Sequence, residues 1–196
     1  ENINLIVDFN LSAGDPISIS DLKALFEVYG KWGIGYSTLY KHANLKASWS
    51  IKDWADTQII TKHTKRFLEI ANLSLDCGIQ PIFGPLYPGG QYPDLAFFEQ
   101  SIKSLYELAP QNIINQLNFG IYGWDFNKTL DWGVGGRQKW PNSSMFRLTD
   151  HQQNHVGFRA YEWYSEIISN YFSLKSPIIL FEVGYFGKNL PEEDRQ

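Results

Sequence analysis

Strand-like and helix-like segments alternate along the whole chain, and that alternation restricts the fold more than any other feature. Five short apolar runs read as strands: Asn4–Asn10, Gly33–Tyr40, Ile79–Leu86, Leu117–Trp124 and Pro177–Tyr185. Between them lie four helical patterns. The spacing predicts a helix over Ser20–Tyr29, with Ser20 as N-cap and Leu22, Leu25, Phe26 and Tyr29 inside. A second spans about Asp53–Leu75, with Ile59, Ile60, Phe67, Leu68 and Ala71 on one side and Gly78 as a stop. A third covers Leu95–Leu108, ended by Pro110, and a fourth Asp150–Phe172. Strands joined by helices imply right-handed crossovers and a parallel sheet. The 196 residues suffice for a single domain with a substantial core. The class is α/β, as a doubly wound sheet or as part of a (β/α)8 barrel.

The loops favour the barrel. A nucleotide-binding sheet has a Gly-rich turn after its first strand, whereas Asn10–Pro16 holds one glycine and the acidic Asp15. The loops after the third and fourth strands are long and aromatic: Tyr87–Pro93, and about 25 residues containing Trp132, Arg137 and Trp140. All leave the C-terminal ends of strands, the active face of such folds. The chain carries 7 Trp, 11 Tyr and 13 Phe, and rings at a rim suit the apolar faces of sugars, although packing accounts for most of them. A net charge of −4 without a basic block argues against nucleic acid. No apolar run reaches membrane-spanning length. The single Cys77 excludes an internal disulfide.

Glu182 ends the last apolar run, Pro177-Ile178-Ile179-Leu180-Phe181. A carboxylate at the end of a buried strand sits where barrel enzymes place their chemistry. Asp8 and Asp125 also end strands; Asp125 is a candidate acid or sugar-hydroxyl acceptor, or simply the start of a turn. His151 and His155 stand four apart behind Asp150, a spacing that can hold a metal, but no third ligand is evident and a solvated helix start is favoured. No metal or cofactor is expected.

Taken in order, the segments resemble the later part of clan A glycoside hydrolases, retaining (β/α)8 glycosidases of the cellulase and xylosidase type. Leu39-Tyr40-Lys41-His42-Ala43-Asn44-Leu45 with Trp49 resembles that clan's fourth-strand Trp-Asn-Glu-Pro-Asn-Leu motif. Gln80–Gly90 resembles the fifth strand, Gly120-Ile121-Tyr122-Gly123-Trp124 the sixth, and Phe181-Glu182-Val183-Gly184 the seventh-strand Thr-Glu-Phe-Gly. The resemblance implies a partial barrel covering strands three to seven, a fragment inactive alone. It implies an oligosaccharide or polysaccharide ligand, and two open sheet edges available for self-association.

The resemblance further makes Glu182 the nucleophile and places Asn44, Trp49, Tyr122 and Trp124 at its motif positions as sugar contacts, while Trp132, Trp140, Tyr185 and Asp8 are candidate contacts by their places in loops and at strand ends. The departures are specific. The acid/base glutamate falls on His42, the preceding asparagine on Lys41, and the nucleophile-orienting phenol is missing unless Tyr122 or Tyr185 supplies it. The acid is then Asp125, His42 or a group outside the chain. Two other readings stay open: a barrel that binds sugar without cleaving it, and a flavodoxin-like interaction domain whose first strand is central.

Overall fold

The computed structural model describes residues 4–14, 17–143, 151–172 and 176–185. The strands are β1 (Leu5–Leu11), β2 (Ile34–Tyr40), β3 (Gln80–Phe83), β4 (Asn118–Trp124) and β5 (Ile178–Gly184). They form one parallel sheet in the order β1-β2-β3-β4-β5. A flavodoxin-like sheet requires its first strand inside, and here β1 lies at an edge, so that alternative falls. The sheet is a curled half-barrel, each strand laid beside its predecessor.

Among the described residues seven α-helices accompany it: α1 (Ile19–Lys31), α2 (Ile51–Trp54), α3 (Ile59–Asp76), α4 (Asp94–Leu108), α5 (Gln111–Ile114), α6 (Gly136–Lys139) and α7 (Ala160–Tyr171). Four are long, as expected; α2, α5 and α6 are single turns. The helix starts and ends differ from the sequence reading chiefly at three places. Ser18, not Ser20, caps α1 by accepting from the Asp21 N–H at 3.3 Å. The second helix breaks between Trp54 and Ile59, where the Gln58 N–H turns to the Asp56 carboxylate at 2.8 Å. The fourth begins at Ala160, so His151 and His155 precede it; Asp150 lies outside the described residues.

Alternation along each strand divides the sheet into two faces. Phe9, Ser37, Phe83 and Phe119 meet α1, α3 and α4 through Phe26, Ser74, Phe67 and Phe98. All four long helices share this convex side, where the core is continuous. The concave face is polar in part. There Asp8 meets Thr38, and the Asn118 amide donates to Gln80 Oε1 at 3.2 Å.

Candidate functional site

Five strand ends and their loops converge on the concave rim. At the end of β2, Lys41 forms an ion pair with Asp8, which also accepts from the Thr38 hydroxyl. His42 adopts a left-handed backbone, φ 54°, sparsely populated by residues with a Cβ. Its place is held from several sides. The His42 N–H donates to Pro85 O at 3.0 Å, and its carbonyl accepts from the Leu45 N–H and the Ser48 hydroxyl, each at 2.8 Å. Its Nε2 shares a 2.5 Å hydrogen bond with the Tyr122 hydroxyl, and its ring meets Tyr87 edge-on.

The rings continue from there. Tyr122 stacks on Trp124 at 4.1 Å between centroids with planes 13° apart, and Tyr87 meets Trp124 at 5.7 Å. Burial, then the Lys41 charge, hold the His42 pKa below its ordinary value, against an opposing pull from Asp8. Burial, then the charges of Glu182 and Asp8, hold the Tyr122 phenol well above its ordinary value. Near pH 7 the pair is therefore a neutral imidazole against a neutral phenol.

Glu182 reaches this group from the edge strand. Tyr122 lies opposite Phe181 and Trp124 opposite Gly184, so Glu182 and Val183 together oppose the single Gly123. That is a β-bulge, which re-aims side chains. Glu182 carries the bulge at φ 49°. A Cβ on Gly123 would lie 2.8 Å from Val183 Cγ2, so the glycine admits the close approach. The Glu182 side chain is exposed, and its charge acts on the Tyr122 phenol.

Other expected contacts are placed elsewhere. Asn44 is fully buried and braces two loops: its amide donates to Tyr87 O at 2.8 Å and Tyr92 O at 3.1 Å, and its Oδ1 accepts from the Tyr87 N–H at 2.8 Å. Trp49 is buried, its indole N–H donating to Ala43 O at 2.7 Å. Asp125 is buried beyond β4, accepts from the Asn127 N–H at 3.0 Å, and lines a cavity of about 390 Å³ with Phe158, Val183 and the exposed Tyr185. Tyr122, and not Tyr185, is thus the phenol beside His42. Trp132 and Trp140 belong to the loop after β4, their indoles bonded to Asn154 Oδ1 at 3.1 Å and Val134 O at 3.0 Å.

Sequence reasoning missed three participants. Lys41 was seen only as a lost asparagine, and Tyr87 only as loop composition. Asp94 went unnoticed although an acid at a helix start after Pro93 is a recognisable signal. It is fully buried and joins His155 Nε2 (2.9 and 3.1 Å) and the Tyr164 hydroxyl (2.9 Å). Burial works to raise the Asp94 pKa, but the His155 charge and hydrogen bond, Tyr164 and the Gly89 N–H together hold it below its ordinary value. His155 is accordingly buried rather than on a solvated helix start, while His151 is exposed. Among the described residues no three His, Cys, Asp or Glu side chains gather to hold a metal ion, and no helix is long and apolar enough to cross a membrane.

No family model matches the chain, and no curated protein sequence matches it. Among solved structures, a mutant of the Thermobaculum terrenum O-GlcNAc hydrolase is similar over 93% of this chain, with TM-score 0.42 and 13% identity. The chain spans 35% of that one. The similarity is weak and concerns the course of the backbone.

Proposed function

We propose that the concave rim is the sugar-binding site of a glycoside hydrolase-like barrel, with Glu182 in the place of a retaining enzyme's nucleophile. The observation that carries this reading is the meeting of His42, Tyr122 and Glu182 at the ends of three strands, beside the stacked Tyr122–Trp124 pair. The ring pair offers an aromatic wall for a pyranose, and the imidazole, phenol and carboxylate offer hydrogen bonds to its hydroxyls.

In the reaction, a Glu182 oxygen attacks the anomeric carbon, the bond to the leaving oxygen breaks, and that oxygen keeps the electron pair. Water then cleaves the glycosyl ester, releasing the sugar and restoring the carboxylate. An ordinary alcohol leaves only if it receives a proton. His42 has none to give near pH 7, because its pKa is lowered. Tyr122 is held in its neutral form too firmly to serve. Asp8 is engaged by Lys41 and Thr38. Cleavage supported by these residues alone is therefore confined to leaving groups stable as anions.

The full-length protein is expected to release dinitrophenolate from dinitrophenyl glycosides and to leave methyl glycosides intact. Glu182→Gln should abolish the release; activity surviving that change removes the nucleophile assignment. The lowered His42 pKa also favours a second reading, a barrel that binds sugar and cleaves nothing. Calorimetric binding of oligosaccharides without dinitrophenolate release would select it.

A further inference from the structure

A second cavity, of about 540 Å³, lies between the start of α4 and the loop after β4, and its lining includes none of His42, Tyr122, Trp124 and Glu182. Pro93, Leu95 and Ala96 form one wall; Arg137, Trp140, Ser143 and Trp163 form the other, with Asp94 and His155 at the base. Its volume falls within the range of small-molecule sites. Its shape is preset by the turn Gly133-Val134-Gly135-Gly136. The indoles of Trp140 and Trp163 donate to Val134 O (3.0 Å) and Gly133 O (2.9 Å), so both rings are fixed walls. The same turn is anchored on α7: the Gly135 N–H donates to Glu162 at 2.6 Å and the Arg137 N–H to Glu166 at 2.9 Å.

The charged residues that line it are matched, and Lys139, outside the lining, holds its ammonium 5.1 Å from the centroid of the Trp140 ring. Asp94 is paired with His155, and Arg137 Nη2 with Glu99 at 2.9 Å. No strong field selects an anion. One polar atom stands apart: the buried Ser143 Oγ has no hydrogen-bond partner among the described residues. A hydroxyl left unsatisfied in a buried position is costly, and a ligand hydroxyl would relieve it. Fixed indole walls, a guanidinium, a lone hydroxyl and balanced charge suit a neutral, hydroxyl-rich ring.

We infer that this cavity binds a neutral pyranose unit, stacked on Trp140 and hydrogen-bonded to Ser143 and Arg137, as a carbohydrate subsite separate from the rim. The inference rests on the carbohydrate reading of the protein, and the test keeps the two apart. The full-length protein is labelled with 5-fluorotryptophan, and the signals of the seven tryptophans of this chain are assigned by single Trp→Phe changes. It is then titrated with cello-, xylo- and chito-oligosaccharides and, separately, with inorganic phosphate.

The expected result is movement of the Trp140 and Trp163 signals by an oligosaccharide. Trp140→Ala should weaken that response about tenfold, while Glu182→Gln leaves it unchanged. Ser143→Ala, which removes no side-chain hydrogen bond among the described residues, should weaken it severalfold with folding intact, and so serves if Trp140→Ala fails to fold. Saccharide shifts confined to Trp124, or sugar affinity untouched by Trp140→Ala or Ser143→Ala, would overturn the subsite and leave the rim standing. Shifts of Trp140 by phosphate alone would also overturn it. No saccharide response at any tryptophan overturns both readings.

Discussion

The ends of β2 and β5 solve the same local problem in opposite ways. Each places a residue with a full side chain in left-handed backbone beside Tyr122: His42 at φ 54° and Glu182 at φ 49°. His42 is fixed by backbone bonds on both sides, by the Tyr122 hydroxyl and by the Tyr87 ring. Glu182 is exposed, on an edge strand, within a bulge. Left-handed conformations of non-glycine residues cost about 1–2 kcal/mol, and surrounding structure must hold them. The β2 end has that surround. At β5 the strained residue sits within a bulge, and its side chain is exposed. The difference separates a braced loop start from an exposed carboxylate.

The braced end breaks first at Asn44. Asn44→Ala removes three buried hydrogen bonds and leaves Tyr87 O, Tyr92 O and the Tyr87 N–H without their side-chain partner. At 1–3 kcal/mol for each unsatisfied buried group, with partial relief by water, the expected loss is roughly 4 kcal/mol. Urea unfolding measures it, and a loss below 1 kcal/mol would show that the loops after β2 and β3 hold themselves.

Behind the same end, His63 is enclosed by Tyr40, Trp49, Phe83 and Phe97. Burial, then the Arg66 charge, lower its pKa from 6.5 to about 3. Between those values the unfolded chain takes up a proton that the folded one refuses. The stability tied to this group is complete above pH 6.5 and is lost as the pH falls towards 3. Between pH 7 and pH 4 the loss is about 3 kcal/mol. His63→Phe should flatten that part of the pH profile, measured as urea midpoints; an unchanged slope would place the acid sensitivity elsewhere.

The order and type of all five strands were legible because each is a short apolar run bounded by turn residues. β3 came out shorter than expected, since Gly84 turns away at φ 90° immediately after Phe83. The gathering of Glu182 and Tyr122 with the β2 end followed from strand order alone, since consecutive parallel strands bring their C-terminal ends to one rim. The bulge that aims Glu182 was not legible, because a register shift leaves no mark in one strand's own sequence. Nor were the loop roles of Asn44, which depends on Tyr87 O and Tyr92 O in a distant segment, and of Trp49, whose indole turns back to Ala43 O in its own loop. Asp94 and His155 lie 61 residues apart, and only tertiary packing joins them.

Between the two extremes stands the loop after β4, fixed through its glycines. Gly136 sits at φ 58°, and a Cβ there would come within 2.3 Å of Glu166 Oε1. Gly136→Ala therefore combines left-handed strain with displacement of the carboxylate that accepts from the Arg137 N–H. About 2 kcal/mol of destabilisation is expected, with loss of the Trp140 signal position in a fluorotryptophan spectrum. A spectrum and midpoint like those of the parent would show that Glu166 is not an anchor.

The smallest effect tests the opening contrast most directly. Glycine accepts φ near 50° without a steric penalty, so Glu182→Gly relieves strain at an exposed position. Glycine also gives the unfolded chain more freedom, which offsets part of the gain. A net stabilisation of about 0.5 kcal/mol is expected. His42→Gly relieves the same strain but removes the bond to Tyr122 and the ring contact with Tyr87, so it should destabilise by about 1 kcal/mol. Opposite signs in paired urea unfolding would establish that Glu182 is held at some cost to the fold, as expected of a group kept for its chemistry. Equal signs would mean that the two ends are alike, and that the exposure of Glu182 carries no functional weight.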